Sequence, residues 1–169
     1  SDGSIRNHYR YSAFGESITA EETVPNRLKY NAQMADELTG LYNRRAYEEG
    51  LDRIRKDVPS EKMIVVAIFD VNGLKEVNDK LGHASGDELL RGAASTIRSV
   101  YGSYGKCYRT GGDEFVVILE EPVEKLSVLN ENFEKAAAKW HGKQVAELNI
   151  SYGAALSEEV CSIDEQIIL

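Results

Sequence analysis

Lys106-Cys107-Tyr108-Arg109-Thr110-Gly111-Gly112-Asp113-Glu114-Phe115-Val116-Val117-Ile118-Leu119 is the stretch whose reading decides the fold. Two short runs, 106–110 and 115–119, flank a Gly-Gly pair. That pattern predicts a β-hairpin closed by a two-residue turn, for which positive φ is needed. Upstream, Met63-Ile64-Val65-Val66-Ala67-Ile68-Phe69 is a continuous apolar run rich in β-branched residues. A run of that length predicts a central buried strand, and it ends abruptly at Asp70. Residues 147–155 predict a last strand.

Helical spacing fills the intervals. A helix capped at Asn43 is predicted through Ala46, Tyr47, Leu51 and Ile54, broken at Pro59-Ser60. A short helix over 74–81 closes at Gly82. A longer one over 86–101 carries Leu89, Leu90, Ala93, Ala94, Ile97 and Val100 on one side. Another runs from Pro122 to Trp140. The order helix, strand, helix, helix, hairpin, helix, strand predicts an α/β (α+β) domain of the split βαβ, ferredoxin-like type. Its central, mainly antiparallel sheet is flanked by helices, expected on one face. Residues 1–35 are polar with scattered aromatics (Tyr9, Tyr11, Phe14, Tyr30), and read as a linker or arm ending in a short helix near 28–35. The domain proper is then 36–169.

With 169 residues, 42% of them hydrophobic, the chain can bury the core of one domain. A formal charge of −8 without a basic stripe argues against a nucleic-acid polymer as partner. A single nucleotide remains open, because a metal ion can neutralise its phosphates. Cys107 and Cys161 show neither CxxC spacing nor a histidine cluster, and read as reduced thiols of an intracellular protein. No stretch is apolar enough for a membrane span and no signal peptide opens the chain. The expectation is a cytoplasmic domain without direct membrane contact, with a membrane-anchored parent left open. The first residue is serine, so an upstream sensory domain or partner is expected to join at the arm.

Asp70 ends a buried strand, where a polar side chain has no packing role. Alone, it reads more readily as a helix N-cap, and Asp113 and Glu114 as solvated turn acids. Topology weakens both readings, because the first strand and the hairpin of a split βαβ sheet are neighbours. Asp70 and Asp113 then converge, and two carboxylates with phosphate oxygens suit Mg²⁺.

The residues 109–115, read as RTGGDEF, resemble the signature of the GGDEF family of diguanylate cyclases. Three further blocks match in the family's order and spacing: DELTGLYNRR at 36–45, FDVNGLKEVNDKLGHASGD at 69–87, and NISYGAA at 149–155. The resemblance implies that Asp70, Asp113 and the Val71 carbonyl bind Mg²⁺ or Mn²⁺, with Glu114 acting beside them on the attacking hydroxyl. It implies that Asn78 and Asp87 read guanine, and that Lys75 and the amides near Gly73 and Leu74 touch phosphates. Gly111 and Gly112 would lie against the nucleotide, where a Cβ would collide. Guanine's N1–H and exocyclic amine can both donate to an ionised Asp87, whereas adenine offers no such pair. Outside the resemblance, Asp87 could cap a helix beginning at Glu88, Asn78 could be a polar residue on a helix face, and Lys75 a solvated lysine.

The implied activity is condensation of two GTP into cyclic di-GMP by a homodimer of facing domains, in a bacterial signalling protein. Three departures from the family pattern bear on it. Asn72 stands where many members carry a second Asp. Residues 102–105 lack the RxxD motif, so product inhibition through that position is not expected. Residues 164–169 resemble only the start of the family's last helix, without its basic residues, so weaker phosphate binding is expected. The alternative reading is a catalytically weak or inactive GTP-binding regulatory module; an adenine-specific cyclase is disfavoured by Asp87.

Overall fold

The computed structural model describes residues 7–11, 17–22, 34–57, 64–119 and 123–157. It divides into two compact units, Ser1–Gln33 and Met34–Leu169. In the first, β1 (Asn7–Tyr11) and β2 (Ser17–Glu22) form an antiparallel pair with a register shift between Arg10 and Tyr11. The arm thus contains a ladder that its sequence did not announce. Each strand is too short for its alternation to stand out from an irregular segment. The predicted break at Pro59-Ser60 and the last-helix residues 164–169 lie outside the described residues, as does 28–33 of the predicted arm helix.

In the second unit the order is α1 (Arg44–Asp57), β3 (Ile64–Val71), α2 (Leu74–Leu81), α3 (His83–Tyr101), β4 (Gly105–Arg109), β5 (Glu114–Leu119), a 3₁₀ turn (Val123–Lys125), α4 (Leu126–Lys139) and β6 (Ile150–Ser157). The four-stranded sheet has the order β4-β5-β3-β6 with antiparallel ladders throughout. This is the split βαβ arrangement, with the first strand of the motif between the hairpin and the last strand. The last strand starts at Ile150, because the preceding segment is taken up in a loop against α3. α3 starts three residues earlier than predicted, at His83.

The expectation of helices on one face is corrected. Val65, Ala67, Phe69 and Val71 pack with Leu89, Ala93, Ile97 and Tyr101 of α3 and Leu129 and Phe133 of α4. Ile64 and Val66, pointing the other way, pack with Ala46, Tyr47, Leu51 and Ile54 of α1. The continuous apolar run of β3 already required cover on both faces, since a strand with one wet face alternates. Phe69, fully buried, meets the rings of Phe133 at 5.0 Å and Tyr101 at 5.4 Å edge-on, and Tyr152 of β6 at 5.8 Å in a stack. Pairs of this kind add about 0.5–1.5 kcal/mol beyond area burial.

Local sequence chemistry sets the joints. Asn43 caps α1, its Oδ1 accepting the Ala46 N–H at 3.1 Å. Gly82, at φ 85°, lets the chain leave α2 and begin α3 without an intervening loop. Glu88 of α3 accepts the N–H groups of Lys143, Gln144 and Val145 at 2.7, 2.8 and 3.1 Å. The Lys143 amide, followed by that of Gln144, holds this carboxyl below the usual range. Nearby, Gly92 faces the Trp140 indole, where a Cβ would collide.

The leading loop 34–43 is tied to the hairpin. Asp36 Oδ1 accepts from the Thr39 amide and hydroxyl at 2.9 and 2.6 Å, and Arg109 Nη1 reaches it at 3.2 Å. Arg109 Nη2 also donates to the Gly112 carbonyl at 2.6 Å. Burial alone would raise the Asp36 pKa, but the Thr39 bonds and the Arg109 charge outweigh it and hold the carboxyl below its ordinary 3.8.

Two stability predictions arise here. Gly92→Ala gains helix propensity but meets Trp140, and overpacking of this kind costs about 1–3 kcal/mol; urea unfolding is expected to show a net loss. Asp36→Ala removes charge-assisted bonds worth about 2 kcal/mol near neutral pH. Because the folded pKa is lowered, that contribution is present above the unfolded value and lost as pH falls through the folded one. The stability gap between wild type and Asp36→Ala is therefore expected to be constant near neutrality and to shrink progressively below 3.8.

Candidate active site

The sheet register brings the acids to one end of the sheet. Asp70 pairs with Glu114 across β3–β5 and with Ser151 across β3–β6. Directly opposed residues project to the same face, so the Asp70 and Glu114 side chains share a side of the sheet. That side is the α1 side, two residues beyond Ile68, and both acids are exposed. Asp113 is half-buried, and its carbonyl accepts the Val71 N–H at 3.1 Å. A β3 residue whose N–H points to β5 directs its carbonyl to the same edge. The Val71 carbonyl is therefore on the hairpin side. Asp70 does not cap α2: that position is taken by Gly73 at φ 75°, without a side-chain cap.

The predicted two-residue turn with positive φ is corrected. Neither Gly111 nor Gly112 has positive φ, and residues 110–113 connect β4 to β5. Thr110 and Gly111 both donate their N–H to the Glu114 carbonyl, at 3.0 and 3.4 Å, and Arg109 holds the Gly112 carbonyl. A wider loop becomes stable because a guanidinium supplies the donor a tight turn would have supplied from the backbone. Glycine at 111 is crowded within the chain, since a Cβ there would stand 2.6 Å from Glu114 Oε2, the movable end of an exposed side chain, and 3.2 Å from its Cβ. Glycine at 112 is not: it has no positive φ, and a Cβ would meet nothing within 4 Å. That leaves open space beside the acids for a close-approaching ligand.

α2 leaves the site directly after β3. Leu74 and the exposed Lys75 occupy its first turn, behind Gly73. One turn on, half-buried Asn78 lies against Gly86 of α3, where a Cβ would strike its carboxamide. Asp87 follows Gly86, half-buried, with Arg91 Nη2 3.8 Å from its Oδ2. The helix-cap alternative for Asp87 is thereby removed, because α3 begins at His83. Asn78 and Asp87 belong to one α2–α3 joint, and a small residue at 86 permits the close approach.

Among the described residues, no three His, Cys, Asp or Glu side chains gather into a metal-holding cluster. The donors at the β3–β5 end are two opposed carboxylates, Asp113 beside them, and a main-chain carbonyl. This hard-oxygen set fits Mg²⁺, which takes one or two carboxylates and completes its shell with water and phosphate oxygens. Tyr104 and Gly105 border an open cavity with Arg53 and Lys106 on its wall.

Several positioning groups were not foreseen from the sequence. Asp36-x-x-Thr39 carried a local signal, since Asp commonly folds back on an amide a few residues on, but its bond to Arg109 spans 73 residues. Glu88, Asn149 and Ser151 carried none, because their partners are 55 to 79 residues distant.

Similarity to known proteins agrees with this geometry. The profile of the family described as "Diguanylate cyclase, GGDEF domain" matches residues 33–167. Diguanylate cyclase DgcS of Shewanella oneidensis is 31% identical over 162 residues, 89% of this chain and 55% of that protein. An uncharacterized membrane protein of Staphylococcus aureus (strain USA300) is 30% identical over 129 residues, 73% of this chain and 36% of its own length. The chain thus spans about half of one relative and about a third of the other. Among solved structures, the GGDEF domain of DgcB from Caulobacter crescentus, in complex with c-di-GMP, superposes with a TM-score of 0.69 at 28% identity, covering 79% of this chain and 84% of that one. No helix among the described residues is long and apolar enough to cross a membrane. A hairpin with its acids at the end of a four-stranded antiparallel sheet, a matching profile over most of the chain and this structural likeness lead to one conclusion: the chain belongs to the GGDEF domain family of diguanylate cyclases.

Proposed function

We propose that this chain condenses two GTP molecules into cyclic di-GMP with release of pyrophosphate, as the cytoplasmic output domain of a bacterial signalling protein. The observation that carries the reading is the β3–β5 register, which sets Asp70 opposite Glu114 while Asp113 holds Val71. Asp70, Asp113 and the Val71 carbonyl would hold Mg²⁺ or Mn²⁺, which when bound stabilises charge on the phosphate and lowers the pKa of the attacking hydroxyl.

The chain's own groups divide the remaining work. The open space at Gly112 admits the triphosphate alongside the hairpin. Lys75 and the amides of Gly73 and Leu74 bind phosphate oxygens at the start of α2, where unpaired N–H groups favour anions. Asp87 accepts from the guanine N1–H and exocyclic amine, and Asn78 contacts the guanine edge beside it. The 3′-oxygen of one GTP attacks the α-phosphorus of the other, its proton passing to the Glu114 carboxylate. The bond from the α-phosphorus to the bridging oxygen breaks, and pyrophosphate leaves. Each domain holds one GTP, so two domains face each other about a twofold axis and the second bond forms by symmetry. An upstream sensory domain or partner would govern that encounter.

A GTP-binding module without turnover is the second reading, favoured by Asn72, which stands where many members of the family carry a second Asp. Incubation with GTP and Mg²⁺ decides between them: cyclic di-GMP and pyrophosphate are expected, whereas GTP binding without product would overturn the enzyme reading. Asp113→Ala is expected to lower kcat by roughly 10³-fold with little change in Tm, as loss of a group acting in the transition state does. Asp87→Ala is expected to raise KM for GTP by about 10²-fold and to erode the preference for GTP over ATP, because the paired donors of guanine lose their acceptor.

A further inference from the structure

We propose that Asn72, Asn149 and Ser151 form a neutral clasp that positions the β3–α2 loop for metal and phosphate binding, and that the clasp tolerates one carboxylate but not two. The inference rests on the Mg²⁺–GTP reading of the site.

Consecutive residues at the end of β3 are pinned in opposite directions. Val71 N–H donates to the Asp113 carbonyl at 3.1 Å, fixing the strand end to the hairpin. Asn72 N–H donates to the Asn149 carbonyl at 3.0 Å, fixing the next residue to the segment that leads into β6. The side chains reinforce the second pin. Asn72 Nδ2 donates to Asn149 Oδ1 at 3.0 Å and to Ser151 Oγ at 2.9 Å, and Ser151 Oγ also stands 3.3 Å from Asn72 Oδ1. Ser151 is itself the register partner of Asp70. Immediately after the clasp, Gly73 turns at φ 75° and α2 begins. The Val71 carbonyl and the amides of residues 73 and 74 are therefore aimed by two pins. Release of the β6 side leaves the loop held from the hairpin alone.

A carboxamide is donor and acceptor at once, and it can rotate to exchange the two. Asp at 72 would accept from a rotated Asn149 and from the Ser151 hydroxyl. Asp at 149 would accept from Asn72 Nδ2. Asp at both positions leaves acceptors facing acceptors, with two like charges in contact. The two positions are thus coupled even though neither touches substrate; they are positioning residues.

The test measures the Mg²⁺ concentration needed for half-maximal binding of 3′-deoxy-GTP, which lacks the attacking hydroxyl, in the full chain and its variants. N72D and N149D are each expected to stay within about 1.5-fold of wild type, while the double variant needs about 10-fold more Mg²⁺, well beyond the roughly 2-fold that additivity allows and a coupling typical of residues in direct contact. Charge alone would act in the opposite direction, since added carboxylates draw Mg²⁺ in. An additive double variant, or one that needs less Mg²⁺, overturns the clasp. Should the double variant not fold, Ser151→Ala decides: a rise of about 3-fold at unchanged Tm supports the clasp, and no rise overturns it. GTP turnover is followed in parallel. Binding without turnover sinks the enzyme reading and leaves the clasp to the Mg²⁺ data. No Mg²⁺-dependent binding by the unaltered chain sinks the site reading, and the clasp with it.

Discussion

The antiparallel register between β3 and β5 is the constraint on which the rest depends. Val65, Ala67, Phe69 and Val71 face α3 and α4, while Ile64, Val66 and Asp70 face the α1 side. A one-residue slip would exchange the two sets, carrying Phe69 toward water and Asp70 toward the aromatic cluster of Tyr101, Phe133 and Tyr152. Burying one large apolar side chain is worth about 1.5–3 kcal/mol, and an unpaired carboxylate in that cluster would add a further penalty. The same packing that stabilises the sheet thus sets Asp70 opposite Glu114. No separate device is needed to align the two acids.

Alignment along the strand does not place the loops beyond its end, and these are held from outside. Arg109 joins the Asp36 turn to the Gly112 carbonyl, so the leading loop and the hairpin loop share one guanidinium. Glu88 gathers three amides of the segment after α4, and Ser85, one turn earlier on α3, bonds the Gln144 side chain of the same segment. The acceptors in these contacts are ionised or amide oxygens bonded to main-chain, guanidinium or hydroxyl donors. Such bonds are directional, so they define loop geometry more sharply than apolar contact would.

Much of the fold was legible because it is written in local periodicity. The β3 run, the α3 stripe and the cap at Asn43 each signal within a window shorter than twenty residues. What escaped depended on distant partners. Helix α1 was foreseen as a helix but not as the cover of a second sheet face, although the unbroken apolar run at 64–69 carried that information. The 110–113 loop was read from its glycines as a tight turn, because glycine is permissive of positive φ without requiring it; the guanidinium that supports the wider loop is invisible to a local rule. The β1–β2 ladder escaped because its strands are too short to display a period.

The candidate site shows the same division. Asp70, Asp113, Glu114, Asn78 and Asp87 stood out as motif positions, whereas Asp36, Glu88, Asn149 and Ser151 act through bonds across 55 residues or more. The chemistry of the proposed reading follows from what is placed at the sheet end. Asp70 and Glu114 are exposed there, so they stay hydrated without a burial penalty. A triphosphate entering beside them would meet like charge, and two unit charges 4 Å apart repel by about 1 kcal/mol in water and about 4 kcal/mol in partly desolvated surroundings. One lysine at the start of α2 cannot offset three carboxylates and a triphosphate. On this reading, a divalent cation between the acids and the phosphates is the condition for substrate to bind at all, before it contributes anything to the transition state.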